Sequence, residues 1–71
     1  MTMTKEILRA KVENINNVLG STLTLEYAYG GVRLIKLTNE HGGVVDMSER
    51  VSKPEMGRIL DAIYNVAVRY K

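Results

Sequence analysis

Residues 21–38, with the sequence STLTLEYAYGGVRLIKLT, decide the fold because they predict one β-hairpin. Two strand-like runs flank the glycine pair Gly30-Gly31, and a glycine pair between two such runs is typical of a tight turn. Helical patterns precede and follow the hairpin. The sequence therefore predicts a small antiparallel sheet between two helices in the chain.

The register of the hairpin is predicted from its aliphatic side chains. A two-residue loop of Gly30 and Gly31 would divide them between the two faces of the sheet. A three-residue loop of residues 29–31 instead collects four aliphatic residues on one face, and Gly31 then takes the left-handed position that leads into a bulge. Gly31→Val is thus expected to destabilise the hairpin more than Gly30→Ala. The four residues predicted to face the helices are Leu23, Leu25, Ile35 and Leu37.

The opposite face of the hairpin is predicted to carry a small apolar group near its tip. In this register Val32 and Leu34 point away from the helices, beside Tyr29 in the loop. Such a group is either covered by a second subunit or simply exposed, since more than half of any protein surface is apolar. The predicted cross-strand pair of Tyr27 and Arg33 fits an interface anchor and fits a local stacking contact equally well.

Length and composition indicate one small domain. A chain of 71 residues buries only about 60% of the surface of its unfolded state, so a second subunit would add stability. Without cysteine it has no disulfides or thiolate metal sites, which suits a reducing cytosol. No run approaches the roughly 18 apolar residues of a membrane span, and the N-terminus lacks the apolar core of a signal peptide. We expect a single domain over residues 1–71, cytoplasmic and without membrane contact.

Two amphipathic helices are predicted. The first covers residues 4–19, with Thr4 as its N-cap and Gly20 as its stop. The second follows the capping box of Ser52 and Glu55. The residues predicted to face the core are Leu8, Val12, Ile15 and Leu19 in the first helix and Met56, Ile59, Leu60, Ile63, Ala67 and Tyr70 in the second. The residues of the first helix predicted to face solvent are Arg9, Glu13, Asn16 and Asn17.

A short third strand is predicted between the hairpin and the second helix. The turn-rich residues 39–43 are followed by Val44-Val45 and Asp46-Met47, which would pair antiparallel with the second strand. Val45 and Met47 would face the helices and Asp46 would face outward. The predicted fold is α+β with two layers in the order α-β-β-(β)-α, both helices packing on one face of a small antiparallel sheet.

The sequence offers no complete catalytic or metal-binding set. His41 is the only histidine, and its neighbours Glu40 and Asp46 lack the spacing of metal ligands, so a solvated loop histidine is the better interpretation. The serines have no evident base, and neither glycine pair has the context of a phosphate-binding loop. We expect no enzyme activity, no metal and no cofactor.

The charge pattern bears on nucleic-acid binding. The net charge is +2, but acidic residues interrupt the basic runs. The order α-β-β-β-α resembles that of double-stranded-RNA-binding domains, whereas residues 53–58, KPEMGR, lack the lysine cluster at the start of their second helix. Nucleic-acid binding is the alternative function. Its candidate residues are Arg9, Arg33, Lys36, Arg50 and Lys53.

A second resemblance covers roughly residues 13–63. The string YAYGGVRL, the following glycine-glycine turn and the segment SERVSKPEM resemble small proteins encoded in tailed-phage and prophage genomes. The resemblance implies a phage accessory protein that binds or inhibits a host protein in the bacterial cytoplasm. Together with the missing catalytic set, the small core and the residues at the hairpin tip, this leads to our main prediction, a non-enzymatic protein-interaction module that forms a homodimer. Its candidate partner-binding residues are Tyr27, Tyr29, Val32, Arg33 and Leu34.

Overall fold

The computed structural model describes residues 3–38 and 42–70. Its elements follow the order α-β-β-β-α, and the strands form one antiparallel sheet in the order β1-β2-β3. The elements are α1 (Lys5–Leu19), β1 (Leu23–Ala28), β2 (Gly31–Leu37), β3 (Val44–Asp46) and α2 (Lys53–Arg69). The predicted α+β fold is confirmed, including the third strand. Neither of the described helices is long and apolar enough to cross a membrane.

Both helices begin at the capping residues that the sequence predicts. Thr4 Oγ1 accepts a hydrogen bond of 3.2 Å from the Ile7 N–H, and Ser52 Oγ accepts one of 3.3 Å from the Glu55 N–H. These bonds satisfy donors that have no partner within the first turn of a helix. Gly20 ends α1 in the left-handed conformation, with φ 65°. Local sequence therefore sets where α1 begins and ends and where α2 begins.

The core lies between the two helices and one face of the sheet. α1 packs on β1, α2 packs on β2, and the two helices pack on each other. The central cluster consists of Leu8, Val12 and Ile15 from α1, Val32 and Leu34 from β2, and Met56 and Leu60 from α2. Full burial of a side chain of this size stabilises a fold by about 1.5–3 kcal/mol, so this cluster is the main source of stability.

The register of the hairpin differs from the predicted one. Ala28 pairs with Gly31, so the loop consists of Tyr29 and Gly30 alone. Tyr29 has φ 52° and Gly30 has φ 73°, as a type I′ turn requires at both central positions. The predicted three-residue loop and the left-handed conformation predicted for Gly31 are therefore wrong.

This register reverses which side chains of β2 face the helices. Val32 and Leu34 face the helices and are buried, at 0% and 1% exposure. Ile35 and Leu37 lie on the face that the helices do not cover, which we call the open face. On that face Ile35 is still buried, at 7% exposure, whereas Leu37 is 49% exposed. The cause is the position of α2. Val32 exchanges two backbone hydrogen bonds with Val51, which directly precedes the α2 cap. α2 therefore starts beside the beginning of β2, and the core centres on Val32 and Leu34.

β3 extends the sheet beyond the helices. Val45 is opposite Lys36 and lies on the helix-facing side, and Asp46 is opposite Ile35 and lies on the open face, both as predicted. Val45 and Met47 are nevertheless 47% and 52% exposed. In the described part of the chain no helix packs on β3, so an orientation toward the helices does not bury these side chains.

Candidate interaction surfaces

The five candidate partner-binding residues do not form one exposed group. Val32 and Leu34 belong to the core, so the expectation of an exposed apolar group at the tip is wrong. Tyr29 stands in the loop at 97% exposure. Tyr27 lies on the helix-facing side at the edge of the sheet, and Arg33 lies on the open face. Only Tyr27, Tyr29 and Arg33 are left at the surface.

The open face carries an ion cluster around Glu26. Arg33 Nη2 donates to Glu26 Oε1 at 2.8 Å, and Arg50 Nη2 donates to the same oxygen at 2.9 Å. Arg33 Nη1 also donates to Asp46 Oδ2 at 3.2 Å. The hydrogen bond from Arg50, together with the two guanidinium charges, outweighs desolvation and lowers the pKa of Glu26. The cluster ties all three strands to the segment before α2.

The candidate nucleic-acid-binding residues are dispersed over the molecule. Arg33 and Arg50 are engaged by carboxylates on the open face. Arg9 has a carboxylate partner within α1. Lys36 points to the helix-facing side at the far end of β2, and Lys53 stands at the start of α2. These five cations do not line one common face.

A groove lies between α1 and β1, which is an edge strand of the sheet. It encloses about 290 Å³. Its apolar lining comes from Val12, Leu25 and Tyr27, and Lys5 Nζ stands 4.8 Å from the centroid of the Tyr27 ring. Burial, assisted by the charge of Glu6, raises the pKa of the Tyr27 hydroxyl. The sequence does not reveal this groove, because its residues come from two elements that meet only in the folded chain.

Asn16 closes part of the β1 edge. Its Oδ1 accepts a hydrogen bond from the Leu23 N–H, and its Nδ2 donates to the Leu23 carbonyl, both at 2.9 Å. Ser21 Oγ also donates to Asn16 Oδ1, at 2.7 Å. The amide thus takes the place of a neighbouring strand at Leu23. The expectation that Asn16 faces solvent is wrong, because helical periodicity does not reveal that the last turn of α1 lies beside the start of β1.

An apolar groove lies between the end of α1 and the C-terminal half of α2. This second groove encloses about 360 Å³. We call it the apolar groove, to distinguish it from the groove between α1 and β1. Leu19 and Val66 in its wall are 51% and 58% exposed. Leu19 and Tyr70 were expected to face the core, but Tyr70 is 83% exposed, because both helix ends reach past the buried cluster. The lining residues are Leu19, Ala62, Ile63, Val66 and Ala67.

His41 and Glu40, for which the sequence predicts a solvated loop, lie outside the described residues. Within residues 3–38 and 42–70, no three His, Asp or Glu side chains lie close enough together to hold a metal ion.

The chain matches no family model, no curated protein and no solved structure. The resemblances to phage proteins and to double-stranded-RNA-binding domains therefore stay predictions.

Proposed function

We propose that this chain is a small protein-interaction module that acts by binding and not by catalysis. The observation that carries the proposal is the apolar groove, a concave surface formed by five apolar residues. Leu19 and Val66 are each more than half exposed there. Apolar concave surfaces in contact with water are typical of sites that bind other proteins.

A second copy of the chain is the first partner to test. In a two-fold dimer the same patch serves both subunits, and a small core gains stability when a partner covers its exposed apolar side chains. The resemblance to phage proteins adds a bacterial host protein as the biological target, bound or inhibited in the host cytoplasm.

Light scattering coupled to size-exclusion chromatography tests the proposal. We expect the wild type to run at twice 8.0 kDa and the variant Val66→Lys to run as a folded monomer, because a charge in the apolar groove is costly to bury. The matched control is Val68→Lys. Val68 is 46% exposed on the same helix but does not line the groove, so its variant should stay dimeric.

Two results would count against the proposal. The first result is that the wild type is monomeric and that the wild type and Val66→Lys capture the same host proteins. The apolar groove would then bind neither a second copy nor a host protein. The second is a mass increase with a random DNA duplex that disappears as salt rises, which would favour the nucleic-acid alternative.

A further inference from the structure

We propose that the β1 edge at Leu25 and Tyr27 binds an extended peptide segment, which adds to the sheet as a fourth strand alongside the groove between α1 and β1. This site is separate from the apolar groove and goes beyond the function proposed above. It rests on the backbone hydrogen bonds of β1, on the side chain of Asn16 and on the residues that line the groove.

The alternation of the β1–β2 ladder decides which backbone groups point to the free edge. The Leu37 N–H donates to the Thr22 carbonyl at 3.1 Å, so Thr22 bonds toward β2. Thr24, two residues later, is opposite Ile35 of β2. Alternate residues of an antiparallel strand bond to the same neighbour. The even-numbered residues of β1 therefore bond to β2, and Leu23, Leu25 and Tyr27 direct their N–H and C=O groups outward.

Asn16 satisfies only the first of these three residues. Its side-chain amide bonds both the N–H and the C=O of Leu23. Within residues 3–38 and 42–70, no hydrogen bond from another element reaches the backbone of Leu25 or Tyr27. The edge is thus closed at Leu23 and open over the next two outward-facing residues. Open N–H and C=O groups in this arrangement are matched by an extended backbone.

The groove beside this open edge indicates the side chains of the ligand. Side chains of an added strand alternate between the two faces of the sheet, so those on the helix side enter the groove above Val12, Leu25 and Tyr27. Lys5, Glu6 and Arg9 also line it, and Arg9 is paired with Glu13 of α1. The surface thus fits an extended segment with an apolar side chain in the groove and a carboxylate near Lys5.

A second copy of β1 fits this edge poorly. α1 packs on β1, so antiparallel pairing of two copies through Leu25 and Tyr27 would bring their α1 helices together over strands only about 4.8 Å apart, whereas packed helices need about 8–10 Å. An extended peptide brings no helix and avoids this conflict.

Amide hydrogen exchange measured by NMR first tests the open edge in the free protein. We expect slow exchange at Leu23, Thr24 and Glu26 and fast exchange at Leu25 and Tyr27. If the amides of Leu25 and Tyr27 instead exchange slowly, and more slowly as the protein concentration rises, the proposal is overturned in favour of pairing between copies.

Short random peptides selected on the immobilised protein then serve as the probe. A selected peptide should slow exchange at Leu25 and Tyr27 about tenfold or more. In the bound peptide, alternate backbone N–H groups should point toward β1. Methylation of those nitrogens should weaken binding about tenfold, while methylation of the nitrogens in between should not. Lys5→Glu should weaken binding as well. Arg58→Glu is the matched control, because it makes the same charge change at an exposed position of α2.

The proposal fails if no peptide is selected. It also fails if selected peptides leave exchange at Leu25 and Tyr27 unchanged, or if both methylated sets bind equally well. Binding that Val66→Lys removes would place the peptide in the apolar groove and would likewise overturn it. Val66→Lys is otherwise expected to bind the peptide as the wild type does, so the outcome is independent of the proposed dimer.

Discussion

Glu26 is a single residue on which several contacts of the open face depend. Its Oε1 accepts hydrogen bonds from Arg33 and from Arg50, and the pKa of Glu26 lies below its ordinary value of 4.5. A carboxylate with a lowered folded-state pKa stabilises the fold above its unfolded-state pKa, and this contribution is lost as the pH falls through the folded-state value. Glu26→Gln is therefore expected to show a smaller loss of stability than the wild type between neutral pH and acid.

Urea unfolding at several pH values measures this difference. Glu13→Gln is the control, because Glu13 pairs with Arg9 on the exposed surface of α1 and exposed pairs contribute little. Its stability should fall with pH as that of the wild type does. Equal pH dependence in Glu26→Gln and the wild type would show that the ion cluster does not stabilise the fold.

Gly31 is constrained by the close approach of the segment before α2. A Cβ at this position would lie 2.8 Å from Arg50 Cγ and 3.1 Å from the Val51 carbonyl oxygen. That oxygen accepts a hydrogen bond of 2.8 Å from the Val32 N–H, so it cannot withdraw freely. Gly31→Val is expected to lower the free energy of unfolding by about 1–3 kcal/mol or more, as overpacking does.

Gly30→Ala is the comparison for this prediction. No atom lies within 4 Å of its added Cβ, but φ is 73°, and a left-handed alanine costs about 1–2 kcal/mol. The sequence already predicts that Gly31→Val has the larger effect. The structure changes the expected cause from backbone conformation to a collision with Arg50 and Val51. A greater loss of stability in Gly30→Ala, measured by urea unfolding, would contradict this cause.

At the scale of the elements, Asn16 connects the end of α1 to the start of β1. Asn16→Ala removes both hydrogen bonds to Leu23 and the one from Ser21. Leaving partly buried polar groups without partners costs about 1–3 kcal/mol, so the variant should unfold at lower urea concentration. It should also speed amide exchange at Leu23, because the edge of β1 is then open along its length.

Asn17→Ala is the matched control for this element contact. Asn17 is the next residue of α1 and is exposed, and alanine raises helix propensity. Its variant should be as stable as the wild type or slightly more stable. Equal losses in both variants would mean that the effect arises in the helix and not at its junction with β1.

At the scale of the whole molecule, dimerisation should make thermal stability depend on protein concentration. A fold whose native state binds a second copy gains stability by mass action, and its Tm rises with concentration. We expect this rise in differential scanning calorimetry for the wild type and for Val68→Lys. Val66→Lys should unfold at a Tm that does not change with concentration. A wild-type Tm that is independent of concentration would contradict the dimer.

The sequence by itself determined the elements. The caps at Thr4 and Ser52 and the two amphipathic patterns predict both helices, and the turn residues predict the antiparallel order of the strands, because these signals act within a few residues. Among the candidate partner-binding residues, Tyr29 is exposed as the sequence predicts, whereas Val32 and Leu34 are buried. The exposure of a strand residue depends on which face of the sheet the helices cover.

Only the tertiary structure decided the register and the surfaces. Both faces of β2 are apolar, with Val32 and Leu34 on one and Ile35 and Leu37 on the other, so the pattern alone does not choose between them. The bridge from Val32 to Val51 places the start of α2 and turns the first pair toward the helices, while Ile35 is buried on the opposite face. The Glu26 cluster, the Asn16 contact and both grooves likewise join residues that are distant in the chain, and long-range packing alone brings such residues together.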